Sequence, residues 1–295
     1  MKKLAPFLIL LAGILWGIIG FFVRKLNFLG FSPFDIVFIR AITTMSLLLI
    51  FLLIYNNKML KIKLKDIWCF IGTGILSIVF FNFCYFKAIN LTSLSVAAVL
   101  LYTAPAIVLI LSSVFFREKI TIIKIISMLL TFAGCVLVSG ALSDKGSINL
   151  QGIVFGLGAG LGYALYSIFS RCALERGYHS LTISFYTFVF ASVSSVFLTD
   201  LKKIGRVCLA DYRLIVFCMI FGLISTVIPY IVYTLGLNEM ENSRASIIAS
   251  IEPVAATMLG ILYFHEKLKI NEMVGALFVI TAIVISNWRK KNEED

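Results

Sequence analysis

AAVLLYTAPAIVLILSSVFFREK, residues 97–119, returns at residues 245–267 as ASIIASIEPVAATMLGILYFHEK. A shift of 148 positions lays Pro105 on Pro253, Phe116 on Phe264, Glu118 on Glu266 and Lys119 on Lys267. In each copy a mostly apolar run ends abruptly in charge. Its length, roughly 20 residues at about 1.5 Å rise each, is what an α-helix needs to cross the hydrocarbon core of a bilayer. The same shift matches Gly74 with Gly222, Ser77 with Ser225, Tyr85 with Tyr233, Asn90 with Asn238 and Ala97 with Ala245. A shift of 147 lays Gly13 on Gly160, Trp16 on Tyr163 and Arg24 on Arg171. The chain reads as two copies of one membrane-embedded unit.

Composition points the same way. Of the 295 residues, 60% are hydrophobic and 14% charged, with a mean hydropathy of +1.02. A soluble domain is only about half apolar and could not hide so much apolar surface. The net charge of +11 would suit a nucleic-acid partner, but Lys and Arg stand in short clusters between the apolar runs. There they act as topology signals and meet the headgroups of the lipid bilayer. No basic stripe interleaved with aromatics lies outside the spans, so no nucleic acid is expected. Cys69, Cys84, Cys135, Cys172, Cys208 and Cys218 form no CxxC pair and mostly fall within apolar runs. No metal site, disulfide framework or cofactor is therefore expected. Lys2 and Lys3 precede an uncharged run, Leu4 to Val23. That run is longer than a signal-peptide core and no A-x-A site follows, so it reads as the first span.

The expected fold is an all-α polytopic membrane protein of ten transmembrane helices. The predicted spans are Leu4–Val23, Phe34–Tyr55, Ile67–Phe86, Leu94–Phe116, Ile125–Leu142, Leu150–Ser170, Ser180–Thr199, Leu214–Gly236, Ala245–Phe264 and Met273–Trp288. Arg40 in the second span and Glu252 in the ninth are charges set inside apolar runs. The longest connector, around Lys202 to Asp211, is expected as a small amphipathic turn. Strands are not expected, because an open sheet leaves backbone groups unpaired in lipid. Lys and Arg in the loops on the N-terminal face, among them Lys58 to Lys65 and Arg289 to Lys291, outnumber those on the other face. Both termini are thus expected on the cytoplasmic side of the cell membrane. The loop from Lys202 to Arg213, which includes Arg206, runs against that bias.

Residues 1–145 and 146–295 then form two five-helix units. An odd number of crossings makes the second enter the membrane from the opposite side, so the repeat is inverted about an axis in the membrane plane. Secondary transporters use this architecture because exchanging the conformations of the halves exchanges the side to which a central site opens.

At Gly13-Ile-Leu-Trp-Gly17, Phe38-Ile-Arg40, Tyr102-Thr-Ala-Pro105 with Phe116-Arg-Glu-Lys119, and Ile251-Glu-Pro-Val254 with Phe264-His-Glu-Lys267, the chain resembles the drug/metabolite transporter superfamily, EamA type. The resemblance covers the whole chain in length, helix count and duplication. It implies a ten-helix carrier for small metabolites, often amino acids or related compounds, frequently exported.

A carboxylate as deep as Glu252 must be protonated, paired or facing water, because ionised and alone it costs about 3 kcal/mol or more. It is read as a substrate-amine ligand or a proton-coupling group, with a structural pair to Arg40 as the alternative. Arg40 itself reads first as a snorkelling anchor or ion-pair partner, ahead of binding a substrate carboxylate. Pro105 and Pro253 occupy equivalent places and are expected to kink the fourth and ninth helices around a central cavity. Trp16, Tyr85, Tyr102, Tyr163, Tyr230 and Tyr233, with the amide of Asn82, are the candidate cavity lining as a set, able to hold an apolar or cationic substrate; any one of the rings alone reads first as an interfacial belt or packing residue. Glu118 with Lys119 and Glu266 with Lys267 read chiefly as helix ends and secondarily as gates. Gly156, Gly158, Gly160 and Gly162 echo a nucleotide fingerprint but lack a preceding strand, so they are expected to pack helices closely.

The function expected from these residues is secondary transport by alternating access. An enzyme is not expected: His179 and His265 lie in connectors, and neither HExxH nor GxSxG occurs. A lipid or polyprenyl-carrier flippase, or a passive channel, would share the architecture. Substrate identity and oligomeric state, monomer or homodimer, are not written in the sequence.

Overall fold

Residues 2–143 and 149–288 are described by the computed structural model. Lys145, the expected unit boundary at 145/146 and the basic run Arg289 to Lys291 lie outside them. Among the described residues all regular structure is helical. Nine helices among these residues are long and apolar enough to cross a bilayer: α1 Ala5–Phe28, α2 Pro33–Tyr55, α3 Leu64–Leu91, α4 Leu94–Phe116, α6 Leu150–Glu175, α7 Ser180–Leu198, α8 Tyr212–Glu239, α9 Asn242–Phe264 and α10 Ile270–Asn287. The tenth, α5 Ile122–Val138, is shorter but apolar. It begins ahead of its predicted start because the Thr121 side chain caps it, accepting from Lys124 N at 3.4 Å. The connector expected as a turn is a helix, Leu201–Ala210, begun by Asp200 accepting from Lys203 N at 3.0 Å. α2 opens with a reciprocal capping box between Ser32 and Asp35.

Helix packing repeats the sequence symmetry. Helices α2 and α7 are repeat mates and pack together, as are α5 and α10. Other contacts come in related pairs: α1 on α8 answers α6 on α3, and α1 on α9 answers α6 on α4. Glycine register shows it in atomic detail. A Cβ on Gly13 would meet Ile251 Cγ2 at 2.6 Å and Ala249 O at 2.8 Å. On its mate Gly160 the Cβ would meet Thr103 Oγ1 at 2.6 Å and Leu101 O at 3.3 Å. Thr103 and Leu101 are themselves the mates of Ile251 and Ala249. Each half crosses five times, so the two halves are inverted and enclose the buried cluster around Trp16, Tyr166, Tyr230 and Tyr233. The outer surface keeps large apolar side chains exposed, among them Ile54, Ile110, Val114 and Leu277, as lipid contact requires.

Small residues set the closest approach. A Cβ on Gly134 of α5 would lie 2.7 Å from Gly275 O of α10 and 2.7 Å from Val279 Cγ2. Dispersion packing of this kind drives helix association where lipid removes the hydrophobic term. Gly134→Val is expected to lower the melting temperature in detergent, at a cost of about 1–3 kcal/mol from overpacking. Gly20→Ala, with nothing within 4 Å of the added carbon, should be neutral or slightly stabilising. Equal melting temperatures for the two variants would contradict the packing account.

Two departures from regular helix bear on the centre. Helices α4 and α9 are each broken just ahead of the proline, at Tyr102 and Thr103 and at Ser250 and Ile251. The prolines therefore open second half-helices, Ala104–Phe116 and Glu252–Phe264, where a missing N–H is harmless. The expected mid-helix kinks are true interruptions. Helices α3 and α8 carry π-helical turns at equivalent places, Gly72–Val79 and Leu223–Val227. Such turns rephase the following side chains and recur at functional sites. Here they precede Asn82 and Tyr85 in one half and Tyr230 and Tyr233 in the other.

Candidate functional site

The break in α9 turns Glu252 from a mid-helix residue into the first residue of a half-helix. A carboxylate at the start of a half-helix is favoured by the positive end of the helix dipole. Tyr163 Oη of α6 donates to Glu252 Oε2 at 3.2 Å. Trp16 of α1, the repeat mate of Tyr163, stands edge-on to it with ring centroids 6.2 Å apart. Trp16 also contacts Tyr230 and Tyr233 of α8 at 5.3 and 5.1 Å. Phe81 of α3 bridges Tyr163 at 5.9 Å and Tyr85 at 5.7 Å. Tyr102 packs against the cluster of Cys135, Ile251, Val254 and Val279 beside the break in α9. A buried aromatic cluster with one carboxylate thus sits where the interrupted helices of both halves meet.

Further hydroxyl pairs fix the rings. Tyr233 Oη and Ser167 Oγ share a hydrogen bond of 2.7 Å, and Tyr166 Oη and Thr234 Oγ1 one of 2.9 Å. Tyr166, which the sequence reading passed over, stands 4.9 Å from the Tyr230 ring. Among the described residues Trp16 Nε1 is buried without an acceptor. A buried indole N–H normally finds one.

Arg40 is 8% exposed, which takes it out of the snorkelling position expected of it. It acts electrostatically on both Glu252 and Tyr230. Among the described residues it makes no hydrogen bond or ion pair through its guanidinium, a costly state for a buried cation unless water or a ligand meets it. Asn82 is buried, but its Nδ2 donates to Ile78 O of its own helix at 2.7 Å, so that donor serves the π-helical segment. Pro105 and Pro253 are both buried at the half-helix starts.

The helix-end residues differ from expectation. Arg117 and His265, repeat mates, both end their helices in the left-handed region with φ 55°, turning the next residue, Glu118 or Glu266, back toward the bundle. Glu118 accepts from Asn242 N at 2.7 Å, Ser243 N at 3.2 Å and Ser243 Oγ at 2.5 Å, which caps α9. Its ionic neighbour is Lys124 at 3.8 Å, not Lys119. Lys124, with a side chain 3% exposed, also meets Glu241 at 3.1 Å. Arg171 completes the cluster by donating from Nε to Asn242 Oδ1 at 3.2 Å and from Nη2 to Met240 O at 2.5 Å. On the opposite face Glu266 pairs with Arg24 at 2.9 Å, both about half exposed, and not with Lys267. The Arg24–Arg171 equivalence was the signal for these partners; Lys124 and Ser243 gave none, since each reads locally as an ordinary helix-end residue.

Comparison with known proteins agrees with this architecture. The model of the EamA-like transporter family matches twice, over residues 3–140 and 150–288. An uncharacterized transporter of Archaeoglobus fulgidus is 28% identical over 273 residues, covering 92% of this chain and 94% of its own. Another from that organism is 29% identical over 221 residues, 73% of this chain and 76% of its own. The uncharacterized transporter YxxF of Bacillus subtilis is 24% identical over 296 residues, 99% of this chain and 92% of its own. One solved crystal structure superposes with a TM-score of 0.81 over the whole of both chains at 14% identity, a likeness of fold alone. With two matched repeats, ten apolar helices and relatives that are themselves transporters, this chain belongs to the EamA-like transporter family and is a multi-pass membrane transporter.

Proposed function

We propose that the protein is a secondary carrier in the cytoplasmic membrane, both termini cytoplasmic, that exports an amino acid or related amine-bearing metabolite by alternating access. The observation that carries the reading is the aromatic cluster at the crossing of the two inverted halves, where Glu252 accepts from Tyr163 and Trp16 joins Tyr163 to Tyr230 and Tyr233. A substrate ammonium suits Glu252 and the aromatic faces. A substrate carboxylate suits the Arg40 guanidinium. Broken helices supply N–H and C=O groups at mid-membrane without exposing irregular backbone to lipid.

Alternation would use the two helix-end carboxylates in turn. On the N-terminal face Glu118, Lys124, Asn242, Ser243 and Arg171 form a buried, hydrogen-bonded seal. On the other face Glu266 and Arg24 pair in the open. Repeat symmetry assigns Glu266 a counterpart seal, on the backbone N–H groups of Leu94 and Ser95, the mates of Asn242 and Ser243. The two seals would form alternately around the cluster, and proton binding at Glu252 would couple the exchange to a gradient.

Purified protein should be stabilised by its substrate, since a ligand of the native state raises the melting temperature. A thermal-shift screen of amino acids, amines, nucleosides and sugars is expected to find its hits among amino acids and amines. The strongest hit should then show saturable, countertransport-stimulated uptake in proteoliposomes. Linear, non-saturating flux would argue for a channel, and hits confined to sugars would remove the amine reading. Single cysteines in place of Lys119 and Lys267 should label from opposite sides of the membrane, Lys119 from the cytoplasm. Labelling of both from one side would overturn the inverted topology.

A further inference from the structure

Away from the aromatic cluster, on the N-terminal face, a pocket of about 450 Å³ opens between the loop joining α2 to α3 and the loop joining α6 to α7. Lys58, Lys61, Lys63 and Arg176 line it together with His179 and Tyr178, and no carboxylate does. Among the described residues none of the three lysines has an ion-pair partner. The transport reading gives these cations no task.

The pocket is built and not merely an array of mobile lysines. Thr182 Oγ1 donates to Met59 O at 2.8 Å, and Tyr186 Oη donates to Leu60 O at 2.6 Å. Tyr178 Oη accepts from Lys63 N at 3.0 Å and donates to Asp66 Oδ2 at 2.8 Å. Asp66 in turn holds Arg176 Nε at 3.3 Å, and the Arg176 guanidinium lies 4.8 Å from the centre of the Trp68 ring. The basic loop is thereby fastened to α7 through its own backbone. The first turn of α7, which begins at Ser180, adds its dipole to the same concavity.

Its rim identifies the kind of anion. Ile54, one turn before Lys58, is 82% exposed, and Leu64, immediately after Lys63, is 83% exposed. Both are large apolar side chains at the end of a span, and Trp68 is an amphipathic ring at the same level. A soluble anion has no use for such a rim, whereas a lipid carries phosphate and acyl chain together.

We propose that this pocket binds the phosphate of an anionic phospholipid, with the acyl chains running down the exposed face beside Ile54 and Leu64. Basic pockets at the ends of spans gain about 1 kcal/mol per Lys or Arg near an anionic surface. Three lysines accordingly account for an affinity difference on the order of a hundredfold.

The full-length protein in neutral detergent is the test material, and its melting temperature the readout. Phosphatidylglycerol should raise it, while phosphatidylcholine at the same concentration should not. Inorganic phosphate at matched concentration should leave it unchanged. The triple variant Lys58→Gln/Lys61→Gln/Lys63→Gln changes only exposed side chains and should keep the melting temperature seen in phosphatidylcholine. It should lose the phosphatidylglycerol shift and retain that lipid on the order of a hundredfold more weakly in native mass spectrometry. An undiminished shift in the triple variant would overturn the site, as would equal shifts from both lipids. A shift reproduced by inorganic phosphate alone would overturn the lipid and leave a soluble anion as the occupant.

Discussion

Glu252→Gln is expected to abolish gradient-driven accumulation in proteoliposomes while leaving substrate exchange measurable. Glutamine keeps the volume of the side chain and an oxygen to accept from Tyr163 Oη, which lies 3.2 Å from the carboxylate. The cluster should therefore remain assembled. What is lost is the ability to gain and release a proton. Exchange returns the carrier loaded in both directions and needs no change of charge at that position, whereas net movement against a gradient does. Loss of proton-driven uptake to the level of empty liposomes, with counterflow retained, is the expected pair of results. Glu252→Asp preserves titration at a shorter reach and should retain a reduced, still gradient-dependent uptake. Undiminished proton-driven uptake in Glu252→Gln would remove Glu252 from coupling. Equal loss of uptake and exchange would make it a substrate ligand alone.

Much of this arrangement was legible before any coordinates. Pro105 and Pro253, matched in register, located the two interrupted helices, because proline in both copies at one depth is a backbone constraint and not chance. Glu252 was legible because a carboxylate among apolar residues is costly. Trp16 and Tyr163 were legible as repeat mates, and they are in contact. Other features were hidden for physical reasons. Proline marks where a helix cannot continue unbroken, but the interruption falls where the preceding residues find turn geometry, two and three positions earlier. The π-helical turns in α3 and α8 leave no composition signal. Arg40 looked close enough to the span end to snorkel, and only the placement of α2 among its neighbours buries it. The role of Lys124, just ahead of the predicted fifth span, was hidden because local sequence does not reveal that Glu118 turns inward beside it after Arg117 adopts φ 55°.

The seal on the N-terminal face gives the second large effect. In Glu118→Ala, Asn242 N, Ser243 N and Ser243 Oγ lose their acceptor, and Lys124, buried at 3% exposure, keeps Glu241 and the Lys119 carbonyl. Removing one partner of a buried pair costs about 3–5 kcal/mol, and the lost cap contributes about 1 kcal/mol more. If the carrier alternates, that cost falls only on the state sealed on this face. A bias of about 3 kcal/mol shifts a two-state ratio by roughly a hundredfold. Ser246, 4% exposed one turn inside the seal, reports it: Ser246→Cys should react slowly with a membrane-impermeant maleimide in the parent and far faster when Glu118→Ala is added. Glu266→Ala acts differently. Its present pair with Arg24 is half exposed and contributes little, about 1 kcal/mol at most. In the alternate state, however, Glu266 would cap α4 at Leu94 and Ser95, so its removal should deepen the present seal and slow labelling further. Combined, the two substitutions should return labelling toward the parent rate, because each handicaps one state of a single equilibrium. A static helix cap predicts otherwise: Glu118→Ala would lower the melting temperature without accelerating labelling, and Glu266→Ala would leave labelling untouched.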